Sequence, residues 1–188
     1  MSLQIINPVP AALRFTYEDY KELPEDRNKY EIIKGELSMT PSPLTIHQII
    51  SHKLNLELGN FVALHDLGFV FQAPLDVVLS THDIVQPDLF FVSKSKHAIV
   101  TEKNIQGAPD LVIEIISPET KKRDLGLKKK LYAKHGVKEY WVVYPKEKRI
   151  GLYALVENEL QLLATYEVQD TLRSKVLQGF ELTLATIF

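Results

Sequence analysis

Two carboxylates stand in apolar surroundings, and each needs an account. Glu114 lies in the middle of residues 111–116, an apolar, β-branched run closed by Ser117-Pro118. Such a run reads as a buried strand. A buried ionised carboxylate is costly unless it is paired or holds a metal, so Glu114 requires a partner. Asp88 follows Pro87 and directly precedes Leu89-Phe90-Phe91-Val92, 26 positions before Glu114. If the two strands are sheet neighbours, the carboxylates converge. Two carboxylates, a backbone carbonyl and water suit Mg²⁺ or Mn²⁺, hard ions that prefer oxygen. Asp124, Lys128 and Tyr132 recur at helical spacing and share one face. A lysine there can polarise a phosphate or position a metal-bound water. The plainer account has Asp88 capping a turn and Glu114 paired with Lys128 in a buried ion pair. The residues alone leave both accounts open.

The charge distribution bears on the substrate. The net charge of −2 argues against general nucleic-acid binding, yet residues 121–138 hold eight basic residues against one acid, Asp124. Lys121, Lys122, Arg123, Lys129 and Lys130 are candidates to hold a nucleic-acid backbone. The alternative is a solvated helix face. His47, in the first turn of a helix, is either a surface residue or a polar group facing the site.

The elements that must position these groups follow from periodicity and turn residues. Residues 15–23 suggest a short helix with Thr16 and Asp19 as a capping box, stopped at Pro24-Glu25-Asp26. Residues 30–33 and 37–40 flank Lys34-Gly35-Glu36 as an N-terminal hairpin. Pro41-Ser42-Pro43 breaks the chain. Thr45 caps a helix over 46–64, where Ile46, Ile49, Ile50, Leu54, Leu58, Phe61 and Val62 keep helical spacing. Extended runs follow at 69–71 and 75–79. A strand over 84–92 is interrupted at Gln86-Pro87-Asp88, because proline donates no ladder hydrogen bond. Residues 93–106 read as a loop. A helix over 124–135 ends at Gly136 and leads into a strand over 139–143. Strands at 149–156 and 160–166 and an extended stretch at 175–184 close the chain. The strand–helix–strand unit implies a parallel pair with a right-handed crossover. The expected class is α/β, a mixed β-sheet flanked by helices, with an additional N-terminal hairpin and C-terminal antiparallel strands.

The 188 residues suit one domain, 1–188, with 1–14 as an N-terminal extension. Hydrophobic residues make up 45% and charged residues 24%, which indicates a folded soluble protein rather than a disordered one. No apolar run approaches the roughly 20 residues of a membrane span. The N-terminus lacks the pattern of a signal peptide, so a cytoplasmic location is expected. With no cysteine, disulfides, thiolate metal sites and cysteine nucleophiles are excluded.

Several short motifs, in their order and spacing, resemble the Uma family of restriction-endonuclease-like proteins within the PD-(D/E)xK nuclease superfamily. They are Tyr30-Glu31-Ile32-Ile33-Lys34-Gly35-Glu36-Leu37, His47-Gln48, Gln86-Pro87-Asp88, and Ala108-Pro109-Asp110-Leu111-Val112-Ile113-Glu114 with Ser117-Pro118. They continue as Arg123-Asp124, Lys128, Tyr132 and Gly136-Val137-Lys138-Glu139-Tyr140-Trp141-Val142-Val143. The resemblance runs from about Phe15 to the C-terminus. It implies a restriction-endonuclease-like core in which Asp88 and Glu114 bind the metal. The superfamily usually carries a lysine two residues after the glutamate. That position here is Ile116, and the family pattern points to Lys128 as the replacement. Glu31, His47 and Asp124 become accessory candidates. The family commonly has aspartate where this chain has Tyr144.

The implied activity is Mg²⁺- or Mn²⁺-dependent hydrolysis of DNA phosphodiester bonds, with Lys128 stabilising the transition state. Two-strand cleavage implies a homodimer, with the C-terminal strands as its interface. Ile116 keeps a second reading open, a nucleic-acid-binding or assembly module without turnover. A third, a hydrolase of small phosphoesters, fits the many cations less well.

Overall fold

A two-residue alternation through the central strands decides which side chains reach the site. The computed structural model describes residues 14–24, 28–40 and 42–188. The expected extension 1–14 lies outside these apart from Arg14, as do Glu25, Asp26 and Pro41 of the two expected breaks. In chain order the elements are α1 (Tyr17–Lys21), β1 (Lys29–Ile33), β2 (Glu36–Thr40), α2 (Thr45–Leu64), β3 (Gly68–Gln72), β4 (Val77–Ser80), β5 (Asp83–Val85), β6 (Leu89–Ser93), β7 (Ile105–Gln106) and β8 (Leu111–Ile115). They continue with α3 (Lys121–Arg123), α4 (Lys129–Lys134), β9 (Glu139–Tyr144), β10 (Arg149–Val156), β11 (Glu159–Tyr166), β12 (Thr171–Arg173) and β13 (Glu181–Thr183).

The larger sheet has the order β11-β10-β9-β8-β6-β3, and β8 and β9 pair in parallel, as the strand–helix–strand pattern predicts. Leu111, Ile113 and Ile115 face a core shared with Ile50, Leu54, Leu58 and Val62 of α2. Val112 and Ile116 face a second core with Leu131, Tyr132 and Ala133 of α4. Both faces of β8 are therefore covered, which is why its sequence reads as a continuous apolar run. Glu114 shares the α4 side, by alternation with Val112 and Ile116. The result is the α/β architecture expected, a mixed sheet flanked by helices.

Several expectations change in detail. The span 84–92 is not one strand. β5 belongs to a second sheet, β2-β1-β5-β4-β7, and β6 to the larger one. Pro87 has no N–H to give, and the Gln86 N–H is used by a carboxylate oxygen of Glu31 at 2.9 Å rather than by a ladder. The chain therefore changes sheets at Gln86-Pro87-Asp88. The N-terminal hairpin joins that second sheet through Ile32 opposite Ile84. Its turn places Lys34 and Gly35 at φ of 55° and 79° between the paired Ile33 and Glu36, the two-residue geometry that favours glycine.

The capping box of α1 forms, with Thr16 N–H to Asp19 Oδ2 at 2.7 Å and Asp19 N–H to Thr16 Oγ at 3.3 Å. In α2 Thr45 is the first helical residue and Leu44 the N-cap, without a side-chain cap. The helix expected over 124–135 starts earlier, at Lys121, and contains a π-helical turn over Asp124–Lys128. The stretch 93–106 contains a 3-10 helix, Lys94–Ile99, and β7. Of 175–184 only β13 is extended, paired with β12. Among the described residues no helix is long and apolar enough to cross a membrane.

Candidate functional site

Sheet register brings the two carboxylates together. Leu89 of β6 lies opposite Ile113 of β8 in an antiparallel pair. One step further sets Asp88 across from Glu114, on the same face of the sheet. The Ile115 N–H donates to Asp88 Oδ2 at 2.8 Å, where the β6 ladder ends and this N–H would otherwise lack a partner. Asp88 also meets Lys29 Nζ at 3.1 Å through Oδ1 and His47 Nε2 at 3.0 Å through Oδ2. Lys29 comes from the start of β1 and His47 from the first turn of α2.

Glu114 is met from the helix side. Its Oε1 accepts from Lys128 Nζ at 2.7 Å and from the Tyr132 hydroxyl at 2.6 Å. The same ammonium lies 2.8 Å from Glu31 Oε1 and 3.8 Å from Asp124 Oδ1. The π-helical turn carries both Asp124 and Lys128, and its Asp124 carbonyl accepts from the Tyr140 hydroxyl at 3.2 Å. The Arg123 guanidinium pairs with Glu31 Oε2. Three carboxylates from three elements thus surround one lysine. Lys128 and Glu114 are each 2% exposed, and Asp88 is 8% exposed.

The two facing carboxyls are driven apart electrostatically. Burial pushes Glu114 up, and the nearby Asp88 and Asp124 charges push the same way against Lys128. Burial acts in that direction on Asp88 too, but Lys29, His47 and the Ile115 N–H together hold it well below the usual carboxylate range. Neighbouring carboxyls with opposed shifts are a common arrangement at acid–base and metal sites. Burial, reinforced by Glu114, raises the Tyr132 and Tyr140 hydroxyls far above their ordinary values, so both remain neutral donors.

These groups line a cavity of about 870 Å³. Asp88, Glu114, Lys128, Glu31, His47 and Asp124, all singled out from the sequence, reach it. The basic run divides. Lys121 and Arg123 line the cavity, but Lys122, Lys129 and Lys130 do not. Lys122 and Lys130 are exposed elsewhere, and Lys129 lies 5.1 Å over the Tyr153 ring. Arg123 is turned inward onto Glu31 rather than outward. Ile116, at the usual lysine position, is 8% exposed and packs in the α4-side core.

Sequence reasoning missed Lys29 as a site residue. The signal was present, because Lys29 and Glu31 are two apart on a strand and share a face. Tyr132 was placed on the right helix face but given no role.

The donor chemistry fits a divalent cation. Asp88 and Glu114 offer hard oxygen donors from facing register positions, and the ammonium groups of Lys29 and Lys128 already lie where positive charge is favoured. Among the described residues no three His, Asp or Glu side chains form a ready-made metal cluster. Two protein carboxylates with water and phosphate completing the shell is the usual habit of Mg²⁺.

Comparison with known proteins agrees with this architecture. The Uma2 family, described as "Putative restriction endonuclease", matches residues 17–185. A crystal structure described as "a putative nuclease belonging to DUF820" from Anabaena variabilis superposes with a TM-score of 0.77 at 21% identity, covering 93% of this chain and 97% of that one. At that identity the likeness speaks for the fold, a restriction-endonuclease-like core. No curated protein matches the chain. The family match spans nearly the whole sequence and includes every carboxylate of the cavity floor: the chain belongs to the Uma2 family.

Proposed function

We propose that the protein is a metal-dependent endonuclease that hydrolyses phosphodiester bonds in DNA. The observation that carries this reading is the facing pair Asp88 and Glu114 on the floor of a cavity whose wall supplies ammonium groups. The family description and the likeness to a described nuclease support the same class. Asp88 and Glu114 would hold Mg²⁺ or Mn²⁺. Such an ion supplies an acidified water and neutralises charge on the scissile phosphate.

The remaining residues hold the carboxylates in place. Lys128 and Tyr132 fix the orientation of Glu114, and Glu31 and Asp124 fix Lys128. His47 and the Ile115 N–H orient Asp88. Lys121, exposed at the cavity mouth, is placed to meet a phosphate further along the strand. The homodimer belongs to the same proposal. β11 is an edge strand with Leu162 and Leu163 exposed, and an exposed apolar edge is suited to pairing with a second copy.

One observation favours the binding module without turnover: Ile116 is buried and Lys128 is enclosed by carboxylates. Cleavage of supercoiled and linear DNA with Mg²⁺ or Mn²⁺ separates the readings. Wild type is expected to cut only with metal, and Glu114→Ala to lose at least about 100-fold, the scale of one lost electrostatic group. Cutting that persists in Glu114→Ala sinks the assignment. A wild type that gains thermal stability with Mn²⁺ but never cuts supports the module.

A further inference from the structure

We infer that Lys29, not Lys128, is the cation that meets the substrate phosphate, and that a divalent ion on Asp88 releases it to do so. The inference rests on the nuclease reading and names a catalytic residue within it.

Lys128 is poorly placed for that task. It is 2% exposed. Its ammonium has three donors, and these face Glu114 at 2.7 Å, Glu31 at 2.8 Å and Asp124 at 3.8 Å. Moving it toward a substrate would leave buried carboxylates without a counter-charge, which is strongly unfavourable. Its position suits a positioning residue that holds Glu31 and Glu114 in register.

Lys29 differs in each respect. Its side chain is 22% exposed and lines the cavity. Among the described ion pairs it meets one carboxylate, Asp88, at 3.1 Å. It is the first residue of β1, so a fixed backbone carries a long flexible arm. The arm ends beside the oxygen that would ligate a metal. An ammonium and a divalent ion compete for Asp88 Oδ1, and the ion brings twice the charge. Once displaced, Lys29 has an ammonium beside the metal position and no longer pairs with Asp88 Oδ1. A phosphate oxygen in the cavity is then its natural partner.

Position 116, two residues after Glu114, supplies no ammonium. Ile116 is part of the α4-side core, so the ammonium must arrive from another element. Glu31, two residues after Lys29 on the same face, ties β1 to Lys128 and Arg123. The strand that delivers Lys29 is thereby anchored directly to the cavity floor.

The test uses the full chain as wild type, Lys29→Met, Lys29→Arg and a distant exposed control, Lys103→Met. Mn²⁺ is titrated while the melting temperature is followed, and DNA cleavage is measured at saturating Mn²⁺. Removing the competing ammonium should lower the Mn²⁺ midpoint of Lys29→Met about fivefold, the scale of one partly exposed ion pair. Cleavage by Lys29→Met should nevertheless fall at least about 100-fold. Lys29→Arg should keep intermediate cleavage, and Lys103→Met should match wild type in both measurements. Unchanged cleavage by Lys29→Met overturns the inference, as does a raised Mn²⁺ midpoint. When wild type cuts and Lys29→Met cuts equally, this inference alone fails. When wild type neither binds metal nor cuts, the nuclease reading fails and this inference with it.

Discussion

Glu114 and Glu139 sit on neighbouring parallel strands and are both buried, yet they face opposite sides of the sheet. Glu139 pairs in register with Leu111, and its Oε1 accepts from the Trp141 indole N–H at 2.6 Å and the Ser174 hydroxyl at 2.9 Å. Its Oε2 accepts from the Lys175 and Val176 main-chain N–H groups at 2.6 and 3.0 Å. Every one of these donors is neutral and two belong to the backbone. Glu139 does not line the cavity that holds Glu114. Glu114 meets a lysine and a tyrosine, faces a second carboxylate and opens on the cavity. Burial of a carboxylate is therefore not the mark of a site in this protein. A charged partner, a like charge alongside and an opening on the cavity are what set Glu114 apart.

The comparison makes predictions that differ in size. The largest concerns stability. Glu139→Ala strands four donors at once and should cost about 3–5 kcal/mol in urea unfolding. Glu114→Gln should cost much less, because Lys128 keeps Glu31 and Asp124. Equal losses at the two positions would break the distinction.

A smaller effect concerns acid. Asp83 resembles Glu139 in being tied by an N–H, from Lys34 at 2.8 Å, and by the Ser80 hydroxyl at 2.8 Å. Burial alone would raise its carboxyl, but His135, the Lys34 N–H and Ser80 hold it below the usual carboxylate range. A depressed folded-state value adds stability above the unfolded value of about 4 and loses it as pH falls. Asp83→Asn should therefore be about 1–2 kcal/mol less stable than wild type at pH 7. The gap should close as pH drops below about 4. A gap independent of pH in denaturant melts would show that the ionised form contributes nothing.

The smallest effect separates two lysines of the basic run. Lys121 lines the cavity and Lys130 does not. Lys121→Ala should weaken oligonucleotide binding by about fivefold and lower its salt slope by roughly one. Lys130→Ala should change affinity by less than about twofold. Fluorescence anisotropy at several salt concentrations measures both. Equal effects would return the basic run to a uniform charged face.

Much of this was legible in the sequence because it is encoded locally. The capping box at Thr16, the Lys34-Gly35 turn, the stop at Gly136 and the parallel β8–β9 pair each follow from nearby residues. Asp88, Glu114 and Lys128 were legible for the same reason, as charges in apolar strands or at helical spacing. The sheet change at Pro87 was only partly visible. The proline marks an irregularity, but which sheet each half joins depends on Ile32 and Glu31, far away in the chain. The π-helical turn at Asp124–Lys128 left no signal in a simple helical repeat.

By itself, then, the sequence determined that Glu114 is a buried carboxylate in need of a partner, since two-residue alternation in a strand is a short-range property. Only the tertiary structure decided what else gathers around it besides Lys128 and Tyr132. The β6–β8 register sets Asp88 across from Glu114, and β1, packed through the second sheet, delivers Glu31 and Lys29 to the same cavity. These contacts join segments separated by dozens of residues. Their choice rests on how two cores and two sheets pack, which no local pattern records.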